Sequence, residues 1–139
     1  MDVGEIEGKV REDFSFLIDN SSVLGILIYG SIAKGEGNER SDIDICIVAP
    51  SVEDKIRFLR TILANVRDER YDVRVFELMP LYLKIEVIEH GRVVYARDIY
   101  ELYEYFYMFR KLWDDQKGRQ TLSKDEILDL FAPKNCRKC

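Results

Sequence analysis

The sequence predicts an α+β domain, a mixed sheet flanked by helices, on three observations. Short β-branched apolar runs alternate with longer stretches of three- and four-residue apolar spacing, which is the pattern of strands separated by amphipathic helices. Turn signals fall between them, at Asn20-Ser21-Ser22, the glycine-dotted stretch from Gly30, Pro50, Pro80 and Gly91. The 139 residues, 47% hydrophobic and 34% charged, supply apolar surface for one core but not comfortably for two.

Val3, Ile6, Val10, Phe14, Leu17 and Ile18 are spaced as one buried helical face, so a helix opens the chain. Leu24 to Tyr29 is too short for a helix and reads as a buried strand stopped by Gly30. The stretch from Gly30 to Ser41 breaks the apolar pattern and reads as a turn, with one helical turn at most, and a loop. Asp42-Ile43-Asp44-Ile45-Cys46-Ile47-Val48, closed by Pro50, is the clearest strand. Ser51 is expected to cap a helix to about Val66 with Ile56, Leu59, Ile62, Leu63 and Val66 on its buried face. Tyr71 to Leu78 follows as a third strand, Pro80 opens a helix ending at His90 and Gly91, and Arg92 to Ala96 is a fourth strand. Asp98 is expected to cap a long aromatic helix through Leu102, Tyr105, Phe106, Phe109 and Trp113. Ser123 and Glu126 form a capping-box pattern for a further helix. The predicted organisation is a core over residues 1–98, a helical extension of the same domain over 99–132, and a tail over 133–139.

A formal net charge of -5 disfavours a protein that grips nucleic acid by phosphate neutralisation. No apolar run reaches the ~20 residues of a membrane span and the amino terminus is acidic, so a cytoplasmic protein is expected. Three cysteines do not form a disulfide framework. Cys136 and Cys139 have zinc-knuckle spacing but supply only half of a four-ligand site. A functionally silent tail is expected there, with a metal shared across a dimer or a redox pair as the alternatives, and His90 is read as a helix-end interaction.

Asp42 and Asp44, two apart on a strand, point to the same face. Paired carboxylates are costly without a cation, and hard oxygen ligands suit Mg²⁺ carrying a nucleotide's phosphates. Upstream, Gly30 lets phosphate approach the backbone, and Ser31 adds a hydroxyl and an amide. An anion cradle beside a divalent-cation site is what phosphoryl and nucleotidyl transfer require. Asp72, on the next strand, is the best-placed third acid, with Glu77 as the fallback. Lys34 is divided between phosphate contact and a solvated surface role, whereas Arg74 is left to an ion pair with a neighbouring acid.

Gly30-Ser31, ten residues, then Asp42-Ile43-Asp44 resembles the minimal nucleotidyltransferase branch of the polymerase-β-like superfamily. The likeness extends to Ala33, Gly35, Ser41, Asp72, Pro80 and Gly91 to Tyr95, covering roughly residues 20 to 98. Four fixed residues match by chance on the order of 10⁻³ times over a chain of this length. The resemblance implies the polymerase-β-like fold, Asp42, Asp44 and Asp72 as catalytic and metal-binding acids, and Gly30, Ser31, Lys34 and Ser41 around the nucleotide. It implies two Mg²⁺ ions with nucleotide bound and ATP as substrate.

Only about forty residues follow the fourth strand, too few for a separate acceptor domain, so acceptor binding is expected to use a partner or a second copy of the chain. The family resembles antitoxins that adenylylate a helical HEPN-domain ribonuclease, which makes AMP transfer to a partner hydroxyl the leading expectation. An aminoglycoside-type transferase and an antitoxin acting by contact alone are the alternatives. The many aromatics around the last helix are read as part core, part contact surface for a second chain.

Overall fold

The computed structural model describes residues 2–38 and 40–131, with side chains described through Gln116. Helices α1 (Val3–Asp13) and α2 (Ser15–Ile18) lead into β1 (Gly25–Tyr29) and the single turn α3 (Gly30–Ala33). Then come β2 (Ile43–Val48), α4 (Lys55–Asn65), β3 (Tyr71–Val75), a 3₁₀ turn (Phe76–Leu78), α5 (Leu81–His90), β4 (Arg92–Ala96) and α6 (Ile99–Phe131). The predicted four strands are present in one mixed sheet, ordered β3-β2-β1-β4. β1 runs antiparallel to β2 and β4, whereas β2 and β3 are parallel and joined by the α4 crossover.

Strand alternation sends side chains to two faces, and helices cover both. Ile26, Ile28, Ile43, Ile45, Ile47 and Val73 pack against Ile6, Val10, Phe14, Leu17 and Ile62. On the other face Leu27, Tyr29, Cys46 and Val48 pack with Phe76, Val87, Leu102 and Phe106 under α5 and α6. Asp44 and Asp72 alternate with the first set and stand on the α5 and α6 face. Among the described residues no helix is long and apolar enough to cross a membrane.

Four boundaries differ from the sequence expectation. The opening helix breaks at Phe14, whose backbone leaves the helical region while its ring remains fully buried. Asp54, not Ser51, caps α4 by accepting from the Arg57 N–H at 3.0 Å. With that start, Phe58, Leu59, Ile62 and Val66 turn inward, and Ile56 and Leu63 remain 51% and 49% exposed. The third strand stops at Val75 and continues as the 3₁₀ turn. α6 runs on to Phe131 without restarting at Ser123, because neither Gly118 nor Ser123 obstructs a helix as proline would. Its start is as predicted: the Asp98 carboxylate accepts from the N–H groups of Tyr100 at 3.0 Å and Glu101 at 3.3 Å.

Candidate active site

The β1–α3 junction is built around the absence of a side chain at Gly30. Its φ is +78°, a left-handed conformation in which other residues are strained. A Cβ there would lie 2.2 Å from Asp44 Oδ2. The turn therefore sits directly against one acid of the pair, and Ser31, exposed on α3, opens beside it. Gly37 closes the following loop onto Ile32, where a Cβ would come within 2.5 Å of Ile32 Cγ1. Ser41 helps hold that loop: its Oγ accepts from the Asn38 N–H at 3.0 Å, and its carbonyl accepts from Arg70 Nη2 at 3.0 Å.

Parallel pairing sets Asp44 directly beside Asp72, and antiparallel pairing sets Tyr29 on the other side of Asp44. Asp42 precedes β2 and is exposed, whereas Asp44 and Asp72 are half-buried. Partial burial, and then the charges of Asp72 and Asp42, raise the Asp44 carboxyl from 3.8 to about 6, with Arg74 opposing the shift. Arg74 Nη2 lies 3.6 Å from Asp72 Oδ2, the ion pair expected of it. The acids are thus an electrostatically unfavourable pair with one cation leaning on it, an environment suited to a hard divalent ion. Among the described residues no three His, Cys, Asp or Glu side chains converge closely enough to cage an ion. Asp44 and Asp72 are the convergent pair, and Asp42 stands at its margin.

Lys34 Nζ is 2.8 Å from Glu86 Oε2 on α5, a bond that raises the lysine's pKa. Glu77 is away from the acid pair: its carboxylate accepts from the Ala49 N–H at 3.1 Å and the Tyr105 hydroxyl at 2.8 Å. The sequence reading passed over Tyr29, which is 4% exposed. Burial pushes its phenol up strongly, and Asp44, Asp72 and Arg74 all act on it. Position before the Gly-Ser turn was the available signal, but an aromatic at a strand end reads first as core. His90 ends α5 exposed, and Cys46 is buried and free. Cys136 and Cys139 lie outside the described residues.

A glycine-serine turn abutting one of two carboxylates paired across neighbouring strands of a helix-flanked mixed sheet defines a nucleotidyltransferase-type domain. The family model "Polymerase beta, Nucleotidyltransferase" matches residues 14–100, and the chain belongs to that family. It is 46% identical over 99 residues to a Methanocaldococcus jannaschii protein named "Putative protein adenylyltransferase MJ1547", covering 71% of this chain and 76% of that one. A second protein of that organism, "Putative protein adenylyltransferase MJ1215", is 34% identical over 73 residues, 51% of this chain and 85% of its own length.

Solved structures share the fold. A chain from a toxin-antitoxin crystal structure with AMP-PNP superposes with a TM-score of 0.61 at 19% identity, covering 92% of this chain and 99% of that one. A chain from the tri-AMPylated Shewanella oneidensis HEPN toxin in complex with MNT antitoxin gives 0.62 at 14% identity, covering 91% and 98%.

Proposed function

We propose that the chain transfers AMP from Mg-ATP to a hydroxyl of a HEPN-type partner protein, and so acts as the antitoxin of a toxin-antitoxin pair. The observation that carries the reaction class is the Asp44–Asp72 register pair against the side-chain-free face of Gly30. The relatives' names favour protein as acceptor and AMP as the group transferred. The complex that holds a tri-AMPylated HEPN toxin, in which one chain shares the fold, favours a HEPN toxin as that acceptor.

In this reading the Gly30 and Ser31 amides and the Ser31 hydroxyl receive the nucleotide's phosphates. Asp42, Asp44 and Asp72 would hold Mg²⁺, which supplies charge neutralisation at the phosphates and acidity at the acceptor hydroxyl. Asp72 takes the proton from that hydroxyl. The acceptor oxygen forms a bond to the α-phosphorus as the bond to pyrophosphate breaks in line, and pyrophosphate leaves. Arg74, which leans on Asp72 at 3.6 Å, and Lys34, held by Glu86 at 2.8 Å, are both partly exposed. Each exchanges its carboxylate for phosphate when nucleotide binds.

The test is incubation of the purified chain with α-labelled ATP, Mg²⁺ and a candidate HEPN-domain partner from the same organism. Label is expected on the partner and lost with Asp44→Asn or Asp72→Asn. Neutralisation of the partner that survives both substitutions, with no label transferred, would sink the catalytic reading in favour of inhibition by contact.

A further inference from the structure

α6 carries an exposed apolar face that the sheet does not use. Tyr100 is 79% exposed, Tyr103 56%, Tyr107 61%, Met108 60% and Leu112 43%, whereas Leu102 and Phe106 on the opposite side are buried. The tyrosines rim a groove of about 890 Å³ that reaches Leu24 and Pro50. Helical periodicity brings these positions onto one broad face, with Glu104 and Lys111 near its centre. Among the described residues Glu104 has no ion-pair partner, and Lys111 is matched only with the Tyr107 ring, at 6.0 Å.

We propose that α6 pairs antiparallel with α6 of a second copy of this chain, about a two-fold axis passing between Tyr107 and Met108. The charges select both occupant and orientation. Glu104 and Lys111 are equidistant from that midpoint on opposite sides, so an antiparallel copy sets each Glu104 against a Lys111. A parallel copy in the same register sets Glu104 on Glu104. Tyr107 and Met108 straddle the axis, and the Tyr100 hydroxyl reaches toward Asp115 of the other copy.

The area is sufficient. Tyrosines of this exposure contribute roughly 130–180 Å² each and the smaller Met108 and Leu112 roughly 80–120 Å², so the five residues of two copies bury on the order of 1,200 Å², within the range of specific interfaces. The dimer leaves the acid pair open, because α6 starts at the Gly25 end of β1, where Arg97 N–H bonds the Leu24 carbonyl at 2.9 Å. Asp44 flanks the Tyr29 end of the same strand.

Sedimentation equilibrium on the full chain at micromolar concentration should give twice the 16.4 kDa chain mass. Tyr107→Glu is expected to weaken the dimer about tenfold or more, with circular dichroism and the melting midpoint confirming that the variant folds. Glu104→Lys and Lys111→Glu should each weaken it several-fold, and the double swap should restore it. A monomeric wild-type chain overturns the proposal, as does a dimer indifferent to all four variants or a double swap that fails to restore association. A wild-type monomer whose binding to a HEPN-domain protein of the same organism is lost with Tyr107→Glu overturns the proposal and assigns the face to that partner instead.

Discussion

At Asp44, partial burial and two neighbouring carboxylates work against ionisation, and the folded chain holds its proton up to about pH 6. The unfolded chain releases that proton near the ordinary value of 3.8. Native protein therefore binds more protons than unfolded protein between those values. Stability falls as pH rises through that window, and the penalty is complete above it. Asp44→Asn is thus expected to raise the stability of the metal-chelated protein at about pH 8 by on the order of 1 kcal/mol, a figure reduced for solvent screening of a half-exposed group. The gain should vanish near pH 4, while transferase activity is abolished at every pH. Urea melts in chelator at the two pH values check it, and an equal effect at both would remove Asp44 as the strained group. Gly30→Ala tests the other half of the junction. Its positive φ costs about 1–2 kcal/mol for a residue with a Cβ, and the added carbon must also displace Asp44 Oδ2. Activity should fall more than tenfold under conditions where circular dichroism shows the variant still folded. These residues were legible because Gly-Ser and Asp-x-Asp state their chemistry locally. Tyr29 was not, since a buried tyrosine beside an acid pair and one in an ordinary core have the same sequence appearance.

β1, β2, α5 and β4 match the sequence expectation to within one residue at each end. Elements were misread where one side chain decided the backbone. Phe76 to Leu78 continues the apolar pattern of β3, yet the chain turns into a 3₁₀ segment there. Glu77 explains the placement: its two carboxylate oxygens take the Ala49 N–H and the Tyr105 hydroxyl, joining the end of β2 to α6. No local signal in the sequence pairs residues twenty-eight positions apart in both directions. Tyr105→Phe should remove one charge-assisted hydrogen bond and lower stability by about 1–2 kcal/mol, with kcat unchanged where the variant is folded. Glu77→Ala should cost more, because it also leaves the Ala49 N–H without its partner. Chemical denaturation of both variants beside a transfer assay decides the matter, and loss of activity at full stability would return Glu77 to the site.

For the molecule as a whole, the two-sided helical cover of a mixed sheet followed from the alternation of strand and helix patterns and from burial of both strand faces. The length of α6 did not, because a capping-box pattern inside a helix is indistinguishable from one at a true start until its neighbours are placed. Under the proposed function, ligand that binds only the folded state adds stability by mass action. Mg-ATP at about 100 times its dissociation constant should stabilise the chain by about 2.7 kcal/mol and raise its melting midpoint by roughly 6–10 °C. ATP in chelator should give much less, and a Mg-ATP shift retained in full by Asp42→Asn with Asp44→Asn would show that nucleotide binds elsewhere.

The parallel pairing of β2 and β3 has a kinetic consequence. Asp44 and Asp72 become neighbours only after α4 has crossed over and the two strands have aligned, and non-local parallel pairing is slow to form. A slip of one residue would set Tyr71 or Val73 beside Asp44 and turn Asp72 to the opposite face. Neither the denatured chain nor a misregistered one sets Asp72 beside Asp44, so under the proposed function neither contains the complete metal-nucleotide site. Under that reading, completion of the sheet and assembly of the site are a single event.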